Sequence, residues 1–467
     1  MVSYKRLGKD MLLMTIGSFG SKLLNFVFVP LYTAILTTEE YGIADLISTT
    51  TTLLFPFFSL IICEAMMRFA LDKENNPKQV YAIGIKITLL GNFAFLLLSP
   101  IILLTPLKDQ YGFVIAYYIT YSLQHALSYF VRGINKTKAF AFGGIVQTLV
   151  VVLSNVLFLV VFKWGIIGYL VANVLGAIAS IIYMFVSAKL YKYGFKLQKT
   201  DKLLQKKMIA YAAPLIPNSA SWWLADAASR FFLIAFIGTS ASGLFSIANK
   251  IPHIMTTMTG IIGRAWKINS TEGFGTEESK KFFEDAFSKL TSIMLLVISM
   301  MLVVNKSLAS LLFQKDFYQA WQYAPLLLFS TCMHAYAEFY GSIYTGAYKT
   351  KFLVISTGMG AIINIVLNYL LIPVLGIMGA AISVASAQTV IFLSRVIHSR
   401  SILKMRINWK RDIPCYMLVL IQIFIATQSF AFEYLYSAVL CLVVVILLRK
   451  EMMTIVKMLM IGIHRKA

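Results

Sequence analysis

Apolar stretches of about twenty residues recur along the whole of this 467-residue chain. A helix of about 20 apolar residues is long enough to cross the ~30 Å hydrocarbon core of a bilayer. Hydrophobic residues make up 59% of the sequence and charged residues only 13%, too little charge for the surface of a soluble protein. The alternation with period two that marks a membrane barrel is absent. The sequence therefore predicts an all-α polytopic membrane protein.

Fourteen transmembrane helices are predicted from these stretches, and a long mixed segment after residue 305 leaves a count of twelve open. The predicted spans are residues 11–35, 41–63, 80–104, 111–131, 140–162, 166–188, 208–237, 241–266, 284–304, 322–346, 352–373, 376–397, 412–430 and 433–448.

The net charge of +22 follows the predicted topology. Of the 42 Lys and Arg residues, 33 fall in loops and tails on one side of the membrane. The positive-inside rule assigns that side, with both termini, to the cytoplasm. The basic loops Lys189–Lys207 and Arg395–Arg411 are interpreted as solvated. This distribution argues for orientation and contact with anionic lipid, and against nucleic-acid binding.

The chain contains an internal duplication. "GINKTKAF" from Gly133 is similar to "GAYKTKFL" from Gly346, and "GIIG" from Gly165 is similar to "GIMG" from Gly376. Two six-helix lobes related by a pseudo-two-fold axis along the membrane normal are predicted. The N-lobe covers residues 1–200 (spans 1–6) and the C-lobe residues 201–405 (spans 7–12). Residues 406–467 hold spans 13 and 14 and a C-terminal helix expected to lie in the interface.

Five Lys or Arg side chains lie at least five residues from either end of a predicted span, where a charge costs about 2.5–3.5 kcal/mol on insertion scales. Lys86 and Lys289 are close enough to a predicted cytoplasmic end for their ammonium groups to reach the interface. Lys22, Arg230 and Lys250 lie deeper. They are expected to line a hydrated central pathway.

Acidic side chains within spans have basic neighbours. Asp226 precedes Arg230 by one helical turn, on the same face, so the two charges can neutralise each other. Glu64 and Arg68 have the same spacing at the predicted cytoplasmic end of span 2. Both a gate and a structural pair fit that position.

Span 10 carries further polar groups. His334 and Glu338 are one turn apart, and the duplication places His125 of span 4 at a depth equivalent to Glu338. Together with Asp226, these groups are candidates for coupling to a proton or sodium gradient.

Tyrosines at four-residue spacing form a stripe on span 10. Tyr336, Tyr340 and Tyr344 could stack on sugar rings and hydrogen-bond through their hydroxyls. Packing against neighbouring helices is the alternative.

The chain shows no P-loop, serine-elbow, zinc or kinase motif. Its loops are too short to contain a catalytic domain. The sequence therefore predicts that the protein is not an enzyme, and that it has no resident cofactor or metal.

Three segments carry a resemblance to a known family: "GSFGSKLLNFVFVPLYTAILTTEEYG", "EAMMRFALDKENN" and "PLIPNSASWWLADAASRFFL". The chain resembles the bacterial polysaccharide-synthesis flippases, the O-antigen or capsule repeat-unit type. These belong to the multidrug/oligosaccharidyl-lipid/polysaccharide exporter superfamily. The resemblance implies a V-shaped pair of bundles around a cationic cavity, and export of undecaprenyl-pyrophosphate-linked oligosaccharide from the inner to the outer leaflet.

A pyrophosphate crossing the bilayer needs compensating cations, and Lys22, Arg230 and Lys250 are the candidates. A multidrug and toxic-compound extrusion antiporter, a lipid II flippase and a non-transporting scaffold of a polysaccharide assembly complex remain as alternatives. The expected partners are the lipid-linked glycan, membrane lipid and polysaccharide polymerase or assembly proteins.

Overall fold

The computed structural model describes residues 26–72, 74–194, 201–256, 259, 277–347, 349, 351–428 and 432–464, without the side chains of Asn218, Asp226 and residues 455–464. Throughout these ranges the regular elements are helices and no strand occurs. The prediction of an all-α fold is confirmed. The chain divides into two compact units, Met1–Trp223 and Leu224–Ala467, called unit 1 and unit 2 below.

Unit 1 is built from helices that follow one another with short connections. They are α1 (Val29–Ile35), α2 (Thr38–Ser59), α3 (Ile62–Leu71), α4 (Pro77–Leu98), α5 (Tyr111–Gly133), α6 (Thr137–Asn155), α7 (Gly165–Ser187), α8 (Lys202–Ala212) and most of α9 (Leu215–Asp226).

Unit 2 contains the remaining helices. They are α10 (Ala228–Phe236), α11 (Thr239–Ala248), α12 (Glu277–Val303), α13 (Asn305–Leu312), α14 (Ala324–Gly346), α15 (Lys351–Leu375), α16 (Ile377–Ser399), α17 (Trp409–Thr427) and α18 (Glu433–His464).

Six helical segments of the described chain are long and apolar enough to cross a bilayer, or seven if the bent pair α2 and α3 forms one span. They are Pro77–Leu104, Thr137–Val161, Gly165–Ser187, Glu277–Val303, Lys351–Leu375 and Ile377–Ser399. At least six apolar spans are therefore present. The count of fourteen stays a prediction.

Helix lengths repeat between the units. Both α5 and α14 have 23 residues, and they begin 213 positions apart, at Tyr111 and Ala324. The helices α7 and α16 also have 23 residues each and begin 212 positions apart, at Gly165 and Ile377. The offsets agree with those of the sequence matches.

The second predicted span is bent. The helices α2 and α3 meet at 60°, and Leu60 and Ile61 between them have φ of 51° and 48°. Left-handed backbone costs a residue other than glycine roughly 1–2 kcal/mol. The Ser59 hydroxyl supports the turn, because it donates to the Phe55 carbonyl at 2.6 Å and accepts from the Ile61 amide at 3.1 Å.

The seventh predicted span, 208–237, is not one helix. It consists of α8, α9 and α10, with breaks at residues 213–214 and at Ala227. At the C-terminal end of the chain, two predicted helices are instead one. The helix α18 runs without a break through predicted span 14 and into the predicted interfacial helix.

Arg395 ties together three helices of unit 2. Its guanidinium donates to Ser356 Oγ at 2.9 Å, the Ala337 carbonyl at 2.7 Å and Thr357 Oγ1 at 3.0 Å. Its side chain is 2% exposed. The interpretation of Arg395 as part of a solvated loop is wrong, because α16 continues four residues beyond it.

Candidate functional site

Of the three cations predicted to line a pathway, the structure describes Arg230 and Lys250. Lys22 lies outside the described residues, as does the side chain of Asp226. Arg230 lies on α10 and Lys250 two residues after α11, and both are partly exposed in unit 2. The helices α10 and α11 pack against each other. That all three cations share one cavity stays a prediction.

Two asparagines of α15 hold the break between α9 and α10. The last carbonyls of a helix lack helical donors, and the Asn364 side-chain amide donates to those of Leu224 and Ala225, at 3.0 and 3.2 Å. Asn368 donates to Ser229 Oγ at 3.0 Å and to Asn364 Oδ1 at 3.0 Å. Both asparagines are fully buried. This network fixes the backbone immediately before the arginine of α10.

The tyrosine stripe of α14 faces the core. Tyr336, Tyr340 and Tyr344 are 0%, 1% and 0% exposed. The first two pack against the rings of Phe287 and Phe392, with centroids 5.1–5.9 Å apart. Buried rings offer no face to a sugar, so the predicted sugar contact does not hold in this conformation. The packing alternative accounts for the stripe.

The open face of α14 is polar. Glu338 and Thr345 are exposed and His334 is partly exposed, with its Nδ1 at 3.3 Å from Gln388 Oε1. No large apolar side chain of α14 is exposed. Because a lipid-facing helix exposes apolar side chains, this face is suited to water or to a polar ligand.

Unit 1 has a corresponding open face on α5, which we call the α5 polar face. It consists of Tyr117, Tyr121, His125, Tyr129 and Arg132, all partly exposed. None of the large apolar side chains of α5 is exposed. At a rise of 1.5 Å per residue the face is about 22 Å long, most of the thickness of the hydrocarbon core.

Three rings of the α5 polar face, those of Tyr121, His125 and Tyr129, form a row. The ring of His125 lies 4.2 Å from that of Tyr121 and 6.1 Å from that of Tyr129. The Arg132 guanidinium carbon lies 3.9 Å from the centroid of Tyr129. Its Nε is buried and has no hydrogen-bond partner among the described residues. The arrangement offers aromatic faces and polar rims to one ligand.

Sequence reasoning found only His125 of this face. The signal was present, because Tyr117, Tyr121, His125 and Tyr129 follow one another at four-residue spacing. The same spacing occurs in the tyrosines of α14, and periodicity does not tell which stripe faces the core.

The predicted gate pair lies on α3. Glu64 is partly exposed and Arg68 exposed, and no ion pair between them occurs in this fully described helix. A structural ion pair is therefore not formed in this conformation. A gating role stays a prediction.

A helical, largely apolar chain with a polar open face on one helix of each unit is typical of membrane transport proteins. The sequence profile of the family described as "Polysaccharide biosynthesis protein" matches residues 7–266. The chain belongs to this family. Among curated protein sequences, none matches the chain.

Solved structures with a similar fold include a lipid II flippase and MATE transporters. "Lipid II flippase MurJ, inward closed conformation" has a TM-score of 0.63 and 14% identity over 94% of this chain and 99% of that one. An inward-facing multidrug resistance MATE family transporter of the MOP superfamily has a TM-score of 0.61 and 14% identity, over 82% of this chain and 95% of that one.

The Vibrio cholerae MATE transporter VcmN has a TM-score of 0.58 and 13% identity, over 85% of this chain and 97% of that one. The resemblance to the polysaccharide-synthesis family is confirmed by the family match, and the fold is shared with a lipid II flippase and with MATE transporters. The prediction that the chain is not an enzyme is confirmed by the same matches.

Proposed function

We propose that this protein is a flippase that moves undecaprenyl-pyrophosphate-linked oligosaccharide repeat units from the inner to the outer leaflet of the bacterial plasma membrane. The product would serve O-antigen, capsular or exopolysaccharide synthesis. The observation that carries the proposal is the α5 polar face, about 22 Å of aromatic side chains ending at the Arg132 guanidinium, in a member of a polysaccharide biosynthesis family.

An alternating-access architecture follows from two lobes of six spans each, with spans 13 and 14 appended. The equal lengths and constant offsets of α5 and α14, and of α7 and α16, support this duplication. The distribution of Lys and Arg supports cytoplasmic termini. A lipid II flippase with the same fold over 94% of this chain supports a lipid-linked substrate.

Each part of the substrate has a matching group of residues. The pyrophosphate is bound by Lys22, Arg230 and Lys250, whose charges compensate its own within the bilayer. The sugars contact the α5 polar face, which replaces the buried tyrosines of α14 in this role. The lipid tail stays in the bilayer.

Coupling to a proton or sodium gradient is assigned to titratable groups on the open faces. Glu338 and His334 of α14 and His125 of α5 are accessible for this role, and Asp226 is the fourth candidate. Flipping measured with either gradient alone identifies the ion. Flipping that is indifferent to both gradients removes this part of the proposal.

The experiment that tests the function uses the full-length protein in proteoliposomes. The substrate is the lipid-linked oligosaccharide pool extracted from cells that lack the protein, and the readout is its appearance in the opposite leaflet. Arg230→Gln and Lys250→Gln should each slow flipping about tenfold, the effect of losing one charged hydrogen bond. Lys289→Gln is the matched control, because this lysine is expected to reach the interface. Wild-type protein that moves none of this pool refutes the proposal.

A separate pair of variants tests the sugar contact. Tyr121→Leu keeps the apolar volume but removes the aromatic face, whereas Tyr121→Phe keeps the ring. The leucine variant should slow flipping of the oligosaccharide and leave undecaprenyl-pyrophosphate-N-acetylglucosamine nearly unaffected. Equal effects on the two substrates would show that the α5 polar face does not contact the glycan chain.

The two alternative transport functions are supported by the fold alone. A multidrug exporter would move a cationic dye, and a lipid II flippase would move lipid II, under the same conditions. Lys22 in the first span disfavours a cationic drug. A scaffold for a polysaccharide polymerase has no need of deep cations, so its cellular glycan output would survive neutralisation of Lys22, Arg230 and Lys250.

A further inference from the structure

A basic cavity lies between α4 and α8 in unit 1, apart from the α5 polar face. Its volume is about 560 Å³, and its lining includes the side chains of Lys86, Lys202 and Lys206 together with Gln205 and Ile209. No acidic residue lines it. No ion pair to any of the three lysines occurs in the part of the chain described.

The helix α8 holds two of the lysines in place by its amphipathic packing. Leu204, Met208 and Ala212 are buried in the hydrophobic core of unit 1, which also contains residues of α4. Residues two positions along a helix point to a different face, whereas residues four apart share one. Lys202 and Lys206 are each two positions from Leu204 and four from each other, so they lie together on the open face of α8. The Asp201 carboxylate is occupied as the helix cap, accepting from the amides of α8 at 2.8 and 3.3 Å.

Lys86 supplies the third charge from within a membrane-spanning helix. It lies nine residues after Pro77, the first residue of α4, and is partly exposed. That distance is about 13 Å along the helix axis. An ammonium group at this depth is stabilised by water or by an anion. The cavity brings it beside the lysines of α8.

The two helices that line the cavity also expose apolar side chains. Leu89 and Leu90 of α4 are 49% and 57% exposed, and Leu203 and Tyr211 of α8 are 63% and 43% exposed. Exposed apolar side chains on membrane helices contact acyl chains. A ligand that combines an anionic head with hydrocarbon tails fits both parts of this surface.

We propose that the cavity between α4 and α8 binds the phosphate group of a membrane lipid. The three ammonium groups bind the phosphate oxygens, and the acyl or prenyl chains lie along the exposed leucines. Anionic phospholipid and the lipid-linked carrier both supply this chemistry. The site is separate from the pyrophosphate site assigned to Lys22, Arg230 and Lys250, and it does not depend on the flippase function.

Native mass spectrometry of the full-length protein in detergent tests the site. The protein is titrated with phosphatidylglycerol, with undecaprenyl pyrophosphate, and with neutral phosphatidylcholine as the reference. Replacing Lys86, Lys202 and Lys206 by Gln should lower the affinity for a phosphate-bearing anionic lipid about fivefold per lysine. Lys207→Gln is the matched control, because this exposed neighbour does not line the cavity.

The two lipid arms identify the source of the phosphate. If the triple lysine variant loses phosphatidylglycerol binding, the site binds membrane phospholipid. If it loses undecaprenyl pyrophosphate binding, the site binds the lipid carrier. Because all three lysines have water-accessible heads, the variants should unfold at the wild-type temperature, which a thermal scan checks. Unchanged binding of both lipids in the triple variant, or an equal loss in Lys207→Gln, overturns the proposal.

Discussion

Replacing Asn364 by leucine tests whether α15 holds the break between α9 and α10. The asparagine side chain is fully buried and donates to the carbonyls of Leu224 and Ala225 at 3.0 and 3.2 Å. Leucine has a similar volume but no donor, so both carbonyls lose a partner. Interhelical hydrogen bonds in membrane proteins contribute on average about 0.6 and at most about 1.7 kcal/mol each. The expected loss in unfolding free energy is therefore about 1–3 kcal/mol.

Thermal unfolding in detergent measures this loss. For a unit of roughly 240 residues, 1 kcal/mol corresponds to about 2–4 °C, so the midpoint should fall by about 2–12 °C. Asn173→Leu is the control, because that amide bonds only the Tyr169 carbonyl one turn earlier in its own helix, at 2.8 Å. A midpoint for Asn364→Leu equal to that of the control would show that the asparagine does not hold the break.

Three further substitutions have effects that follow from packing and charge. Gly91→Ala should lower the unfolding midpoint by the equivalent of about 1–3 kcal/mol, since its new Cβ would overlap the Phe58 carbonyl at the bend after α2. Glu433→Gln should destabilise α18, because Lys306 lies 2.6 Å from this carboxylate and both side chains are about 15% exposed. The same thermal scan should show stability restored in a double variant with Lys306→Gln and Glu433→Gln, since no charge is then left unpaired. Arg395→Met should cost about 2–4 kcal/mol through three lost hydrogen bonds to α14 and α15, and wild-type expression and midpoint would contradict this.

Hydrophobic patterning identified the all-α class and the repeating helices, because length and apolarity are properties of contiguous residues. The boundaries of α5, α14 and α15 lie within four residues of the predicted spans 4, 10 and 11. Breaks within helices were harder to predict. The bend at Leu60 and Ile61 has no glycine, and it depends on a serine hydroxyl bonded to the chain on both sides.

Arg395 shows why a charge is a poor guide to a helix end. The sequence places it where predicted span 12 (residues 376–397) meets a basic loop, and solvation is the simplest interpretation there. In the structure its acceptors are a backbone carbonyl and two hydroxyls on neighbouring helices. No pattern along the chain brings Ala337, Ser356 and Thr357 to one point. Only the packing of α14 and α15 against α16 does so.

The tyrosines of α5 and α14 show what periodicity cannot predict about the candidate site. Both helices carry aromatic residues every four positions. This spacing shows that the aromatic residues of each helix share a face, but not whether that face points to the core or to the open side. In α14 the neighbouring Phe287 and Phe392 pack against Tyr336 and Tyr340, so the histidine and the glutamate remain on the open face. In α5 a different row, Tyr118 and Phe130, fills the core and leaves the row around His125 open. One unit therefore presents aromatic rings on its open face and the other a glutamate and a histidine, a difference that the four-residue spacing alone does not predict.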